Sequence, residues 1–146
     1  MLAGLLALGG CGGAPASGVA TPFAGTVCSL LSAGELRGGL PQIPVADTAV
    51  EGTAGHVRSC RWGPALQLSV GEYQDLLAAT GDSTGGNATV KDLDGLGTSA
   101  AGFQDSTRVV LYVQTPQGAF SVTASAYQGV TIEALIPLAK LVAGRI

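Results

Sequence analysis

Two short stretches hold the residue types that can do chemistry. Gly52 to Cys60 reads GTAGHVRSC, and Thr80 to Asn87 reads TGDSTGGN. His56 in the first and Ser83 in the second, with Asp75 between them, supply the imidazole, hydroxyl and carboxylate of an acyl-transfer triad. Such a triad works only when the three groups converge beside preorganised amide donors for the oxyanion. The spacing denies this. His56 and Ser83 lie too close in the chain to stand on the two separate barrels that this pair of motifs serves elsewhere. Thr84 also occupies the place where a glycine would present its amide. No catalytic residue is therefore assigned, and the chain is not expected to be an enzyme. A small hydrolase is the least favoured class; it would need turnover that disappears on replacing His56 or Ser83.

The other motifs reduce to turns and loops. Gly95-Leu96-Gly97-Thr98-Ser99-Ala100 has the G-x-G-x-x-A form of a dinucleotide-binding turn, which requires a strand before it and a long helix after it. Here Val90-Lys91-Asp92-Leu93-Asp94 precedes and Gly102 follows closely, so the expectation is a tight turn using glycine torsions. Asp92 and Asp94 suggest a calcium loop, but Leu96 takes the next ligand position and no glutamate closes it. No metal and no cofactor is expected. His56, the single histidine, reads as a surface residue. Asn87-Ala88-Thr89 has the form of a glycosylation sequon and marks an exposed loop.

The three cysteines say more. Cys11 closes MLAGLLALGGC, an uncharged apolar run ending in small residues, which has the form of a bacterial lipobox. Residues 1–11 are then signal peptide and lipobox, with Cys11 the acceptor of diacylglycerol. The expected partner is membrane lipid held through the acylated Cys11, and the expected location is the outer face of the cell membrane. The run is too short to span a bilayer, which takes about 20 apolar residues. Signal segments open with Lys or Arg; the first basic residue here is Arg37, so the expectation is a start upstream of Met1. Export leaves Cys28 and Cys60 in an oxidising compartment, where a disulfide between them is expected. Closing that loop removes roughly 3.7 kcal/mol of chain entropy from the unfolded state, before any strain is subtracted. Trp62 is expected to pack against the bridge.

Residues 12–25 are Gly-, Ala- and Pro-rich without charge, a flexible tether with an r.m.s. span of roughly 20 Å. Residues 26–146 form one domain, long enough to bury a core. The net charge of −3, with basic residues scattered singly, excludes a nucleic-acid partner. Ser32 and Glu35 have capping-box spacing at the head of a short helix that Gly38-Gly39 ends. Strands are expected over His56–Trp62, Ala65–Val70, Arg108–Gln114 and Ala119–Tyr127, the last two joined at Thr115-Pro116-Gln117-Gly118. Tyr73–Ala79 reads as a short helix. Leu135, Leu138, Ala139, Val142 and Ile146 make one stripe of a closing helix, in which Pro137 is a kink or the true start. The fold class is α+β: an antiparallel sheet of about four to six strands, with the short N-terminal helix and the C-terminal amphipathic helix packed on it.

Alternation along the last strand puts Phe120, Val122, Ala124 and Ala126 on one face, and Ser121, Thr123, Ser125 and Tyr127 on the other. Left uncovered by a helix, the second face is a candidate binding surface. Trp62 and Tyr127 are the candidate ligand-binding aromatics. The leading function is a non-enzymatic binding or envelope-complex domain whose partner is an unknown envelope protein. The alternative is carriage of a small apolar ligand or lipid between the sheet and the last helix.

The chain resembles a family of uncharacterised lipoproteins of high-GC Gram-positive bacteria, mycobacterial and streptomycete relatives included. The pattern is Cys-Ser-Leu-Leu-Ser-x-x-Glu-Leu (Cys28 to Leu36), Ser-Cys-x-Trp (Ser59 to Trp62), Gly-Leu-Gly-x-x-Ala (Gly95 to Ala100) and a closing apolar helix. The resemblance covers about residues 26–146 and implies an envelope-anchored α+β domain with no assigned enzyme activity. The missing basic n-region and Pro137 depart from that pattern.

Overall fold

The structure, a computed structural model, describes residues 23–79, 89–126 and 129–146. Cys11, Ser83 and Tyr127 lie outside the described residues.

The described residues begin with a 3-10 turn, Val27–Ser29, and helix α1, Ala33–Gly39. The capping box forms: the Ser32 hydroxyl accepts from the Glu35 amide at 3.1 Å, and the Glu35 carboxylate accepts from the Ser32 amide at 2.9 Å. Strands β1 (Val50–Ala54), β2 (Val57–Arg61) and β3 (Leu66–Gly71) follow as a meander, then helix α2, Tyr73–Ala79. A second meander comprises β4 (Thr89–Leu93), β5 (Ser99–Gln104), β6 (Arg108–Thr115) and β7 (Gly118–Ser125). Helix α3, Ile132–Ala143, closes the fold.

Among the described residues the strands form one antiparallel seven-stranded sheet in the order β1-β2-β3-β7-β6-β5-β4. The two meanders join at β3 and β7, with Leu68 opposite Val122. The α+β class and the helix at each end are as expected. The sheet is wider than the four to six strands expected because β1, β4 and β5 carry weak patterns. All five residues of β1 are exposed, so no alternation marks it. In β5, Gly102 replaces an apolar side chain because Ile132 of α3 needs the space: a Cβ there would stand 2.5 Å from the Ile132 Cγ2.

One face of the sheet carries the main core. Cys60, Leu66, Leu68, Val70, Leu111, Val113, Phe120, Val122 and Ala124 pack against Leu36, Leu135, Leu138, Ala139 and Val142. Each fully buried leucine contributes about 1.5–3 kcal/mol relative to exposure. The expected stripe of α3 is the buried one, extended to Ile132, with Ile146 partly buried beside it. Pro137 sits inside α3, which starts five residues earlier at Ile132, so it removes one backbone bond without setting the start. The other face carries a smaller core in which α2 sets Leu76 and Leu77 over Val57, Val110, Tyr112 and Ala119. Tyr112 meets Tyr73 and Phe103 edge-on, with ring centroids 6.0 and 5.3 Å away. Strand β6, buried on both faces, reads as the continuous apolar run Val109 to Val113 for this reason.

A fork ties the end of α3 to α1. Arg145 donates to both Glu35 carboxylate oxygens, at 3.0 and 2.6 Å, and to the Leu30 carbonyl at 2.7 Å. The Arg145 bonds, then the Ser32 amide, pull the Glu35 carboxyl from 4.5 down to about 2. A lowered native pKa means the stabilisation is complete above the unfolded value near 4.5 and is lost as pH falls towards 2. With the carboxylate 31% exposed, solvent screening leaves roughly 1–2 kcal/mol. Urea melts of wild type and Glu35→Gln are expected to differ by that amount at pH 6 and to converge near pH 2.

Candidate functional site

The second face of the sheet is divided. Helix α2 covers the part around Ala119 and Ser121, and Ser121 is fully buried, its hydroxyl without a hydrogen-bond partner among the described residues. Beyond α2 the same face stays partly open at Thr123 and Ser125. The face marked by alternation is thus half core and half surface.

That open half forms a hollow of about 380 Å³. Pairing builds it: Arg61 of β2 stands opposite Gln67 of β3, Gln67 opposite Thr123 of β7, and Ser125 of β7 opposite Arg108 of β6. The turn at Pro64 and Ala65 walls one end, held where the Ser125 amide donates to the Ala65 carbonyl at 2.8 Å. Thr107, in the β5–β6 turn, lines it as well, and none of the lining residues is acidic.

Arg61 is positioned by a polar chain that starts in the interior. The Gln67 side-chain amide donates to the buried Ser69 hydroxyl at 3.0 Å, and the Gln67 oxygen accepts from Arg61 Nη2 at 3.1 Å and Nε at 3.4 Å. On the opposite side the β5–β6 turn is cinched by Asp105, whose Oδ1 accepts from the Thr107 amide (2.7 Å), the Thr107 hydroxyl (2.8 Å) and the Arg108 amide (2.9 Å). Those bonds, Thr107 first, hold the Asp105 carboxyl below its ordinary range, with a smaller contribution from the Arg108 charge. Two arginines, one carboxamide and three hydroxyl residues line the hollow, with Gln67 already engaged by Arg61 and Ser69 and the Thr107 hydroxyl donating to Asp105. Such a set recognises an anionic, hydrogen-bond-accepting group.

The other sequence-derived residues fall in different places. Cys28 and Cys60 are bonded, with sulfurs 2.03 Å apart. Trp62 is 2% exposed and lies in the same core cluster as both cysteines, so it presents no ring to a ligand. His56 is exposed in the β1–β2 turn, and Asp75 lies on α2. Gly95 and Gly97 adopt φ of 74° and 60° and bring Leu96 into the core, the tight turn expected rather than a nucleotide loop. Among the described residues no three His, Cys, Asp or Glu side chains gather as a metal set, and no helix is long and apolar enough to cross a membrane.

The chain matches no protein-family model, no curated protein and no solved structure.

Arg61 and Arg108 were missed because they lie far apart in sequence and meet only through the β3–β7 junction. The strand order that unites them was not legible. The seam between sheet and α3, where an apolar ligand was considered, is lined by Leu111, Val122, Ala124, Leu135, Leu138 and Ala139, all essentially without exposure.

Proposed function

We propose that the chain is a lipid-anchored extracytoplasmic binding domain without enzymatic activity, akin to the lipoproteins it resembles. Cys11 carries the lipid, residues 12–25 are the tether, and the disulfide-braced domain holds an envelope partner. The observation that carries the binding role is the hollow with Arg61 and Arg108 among its lining residues. Its partner group is anionic, a carboxylate or phosphate displayed by an envelope component.

Cross-linking in intact cells, followed by pull-down through the domain, tests the role. The double variant Arg61→Ala/Arg108→Ala is expected to recover at least roughly tenfold less of the partner than wild type, since a central arginine contact is worth about 2 kcal/mol or more. Arg61 is exposed and Arg108 half-buried, and a urea melt of the double variant checks that its fold is kept. Equal recovery of the same partner by both proteins would remove the hollow from the account.

A further inference from the structure

We propose that β1 is a self-pairing edge, through which two copies of this chain join their sheets antiparallel about a two-fold axis at Gly52. The inference does not depend on the ligand hollow. Strand β1 stands at one end of the strand order, and Val50, Glu51, Gly52, Thr53 and Ala54 are all exposed. A sheet edge with free backbone groups is a template for another strand unless charge, proline or a bulge guards it. The opposite edge strand, β4, has the sequence Thr-Val-Lys-Asp-Leu, with two charged residues. The β1 sequence Val-Glu-Gly-Thr-Ala has no such guard, because its one charged side chain is held back over its own subunit: Glu51 Oε1 accepts from the Cys28 amide at 3.2 Å.

Backbone geometry selects the register. A two-residue turn, Gly55-His56, joins β1 to β2, so the closing pair Ala54–Val57 exchanges hydrogen bonds. Alternation then turns Ala54, Gly52 and Val50 towards β2 and sends the amides and carbonyls of Glu51 and Thr53 outward. A second β1 centred on Gly52 places Glu51 of each copy opposite Thr53 of the other, forming four backbone hydrogen bonds without opposing like charges. The two glycines face one another at the non-hydrogen-bonded pair, where strands approach most closely. Such an interface uses one patch twice and closes on itself, whereas pairing β1 with β4 of another copy would extend as an open filament.

Thiol scanning of the full chain in the membranes of producing cells tests this. Gly52→Cys puts two thiols on α-carbons about 4.5 Å apart, within the range a disulfide bridges. Thiols introduced as Val50→Cys or Ala54→Cys would lie roughly 14 Å from their own copies, beyond that range. Oxidation is expected to give roughly tenfold more covalent dimer at Gly52→Cys than at either neighbour. A Cβ at Gly52 meets only the Ser59 hydroxyl, at 3.3 Å, so the variant keeps the fold. As a second arm, Gly52→Lys opposes two like charges on the axis and is expected to lower the dimer fraction several-fold by amine-independent cross-linking. Equal yields at the three positions, a maximum at Val50→Cys or Ala54→Cys, or a monomeric chain would each overturn the proposal. A monomer whose Glu51 and Thr53 amides exchange slowly would assign the edge to another segment or peptide.

Discussion

Replacing Cys28 and Cys60 together with alanine is expected to lower the stability of the domain by about 3–4 kcal/mol, and its melting temperature by about 10–15 °C. The bridge spans a sequence separation of 32 and ties the opening 3-10 turn to the middle of β2. Most of its stabilisation comes from restricting the unfolded chain. Part is packing, because Cys60 is fully buried in the same cluster as Trp62 and Leu68. The turn and the segment before it keep other ties: the Cys28 amide donates to Glu51, and Arg58 donates to the Phe23 carbonyl at 2.7 Å and to the Gly25 carbonyl. The variant should therefore fold, cooperatively but weakly. Paired thermal and urea melts check this, and a loss under about 1 kcal/mol would show that those polar ties hold the turn without the bridge.

Gly97→Ala is expected to cost about 3 kcal/mol or more, while Gly95→Ala, two residues away, costs about 1 kcal/mol. Both glycines have left-handed torsions, with φ of 60° and 74°. They differ in what surrounds them. A Cβ on Gly97 would stand 2.2 Å from the Gln114 carbonyl oxygen and 2.7 Å from Val113 Cγ1; one on Gly95 would meet nothing within 4 Å. The Gln114 carbonyl cannot retreat cheaply, because it also accepts from the Thr98 amide at 2.8 Å and the Thr98 hydroxyl at 3.1 Å. The Gly95 cost is the torsion alone; the Gly97 cost adds displacement of β6. Urea denaturation of the two single variants separates them, and equal losses would mean that the turn relaxes as a unit.

Elements with strong local signals were legible in the sequence. Ser32 and Glu35 announced α1, Thr115 to Gly118 announced the β6–β7 hairpin, and the apolar spacing from Leu135 to Val142 announced α3. Strands β1, β4 and β5 were not, for physical reasons that differ. Strand β1 buries nothing, so its existence rests on pairing to β2 through a glycine turn. Strand β5 gives up side-chain bulk at Gly102 to admit Ile132, which erases its alternation. The candidate site was half legible: the hydroxyl face of β7 could be read by alternation, but the two arginines depend on which strands become neighbours. That neighbourhood is a long-range property, set when the two meanders meet at β3 and β7.

Fractionation of cells producing the chain from its own gene tests the proposed attachment through Cys11 most directly. Wild type is predicted to sediment with membranes and to carry the mass of a diacylglycerol on Cys11, while Cys11→Ser is released from the membrane and left unprocessed. Equal retention and equal processing of the two proteins would contradict the account.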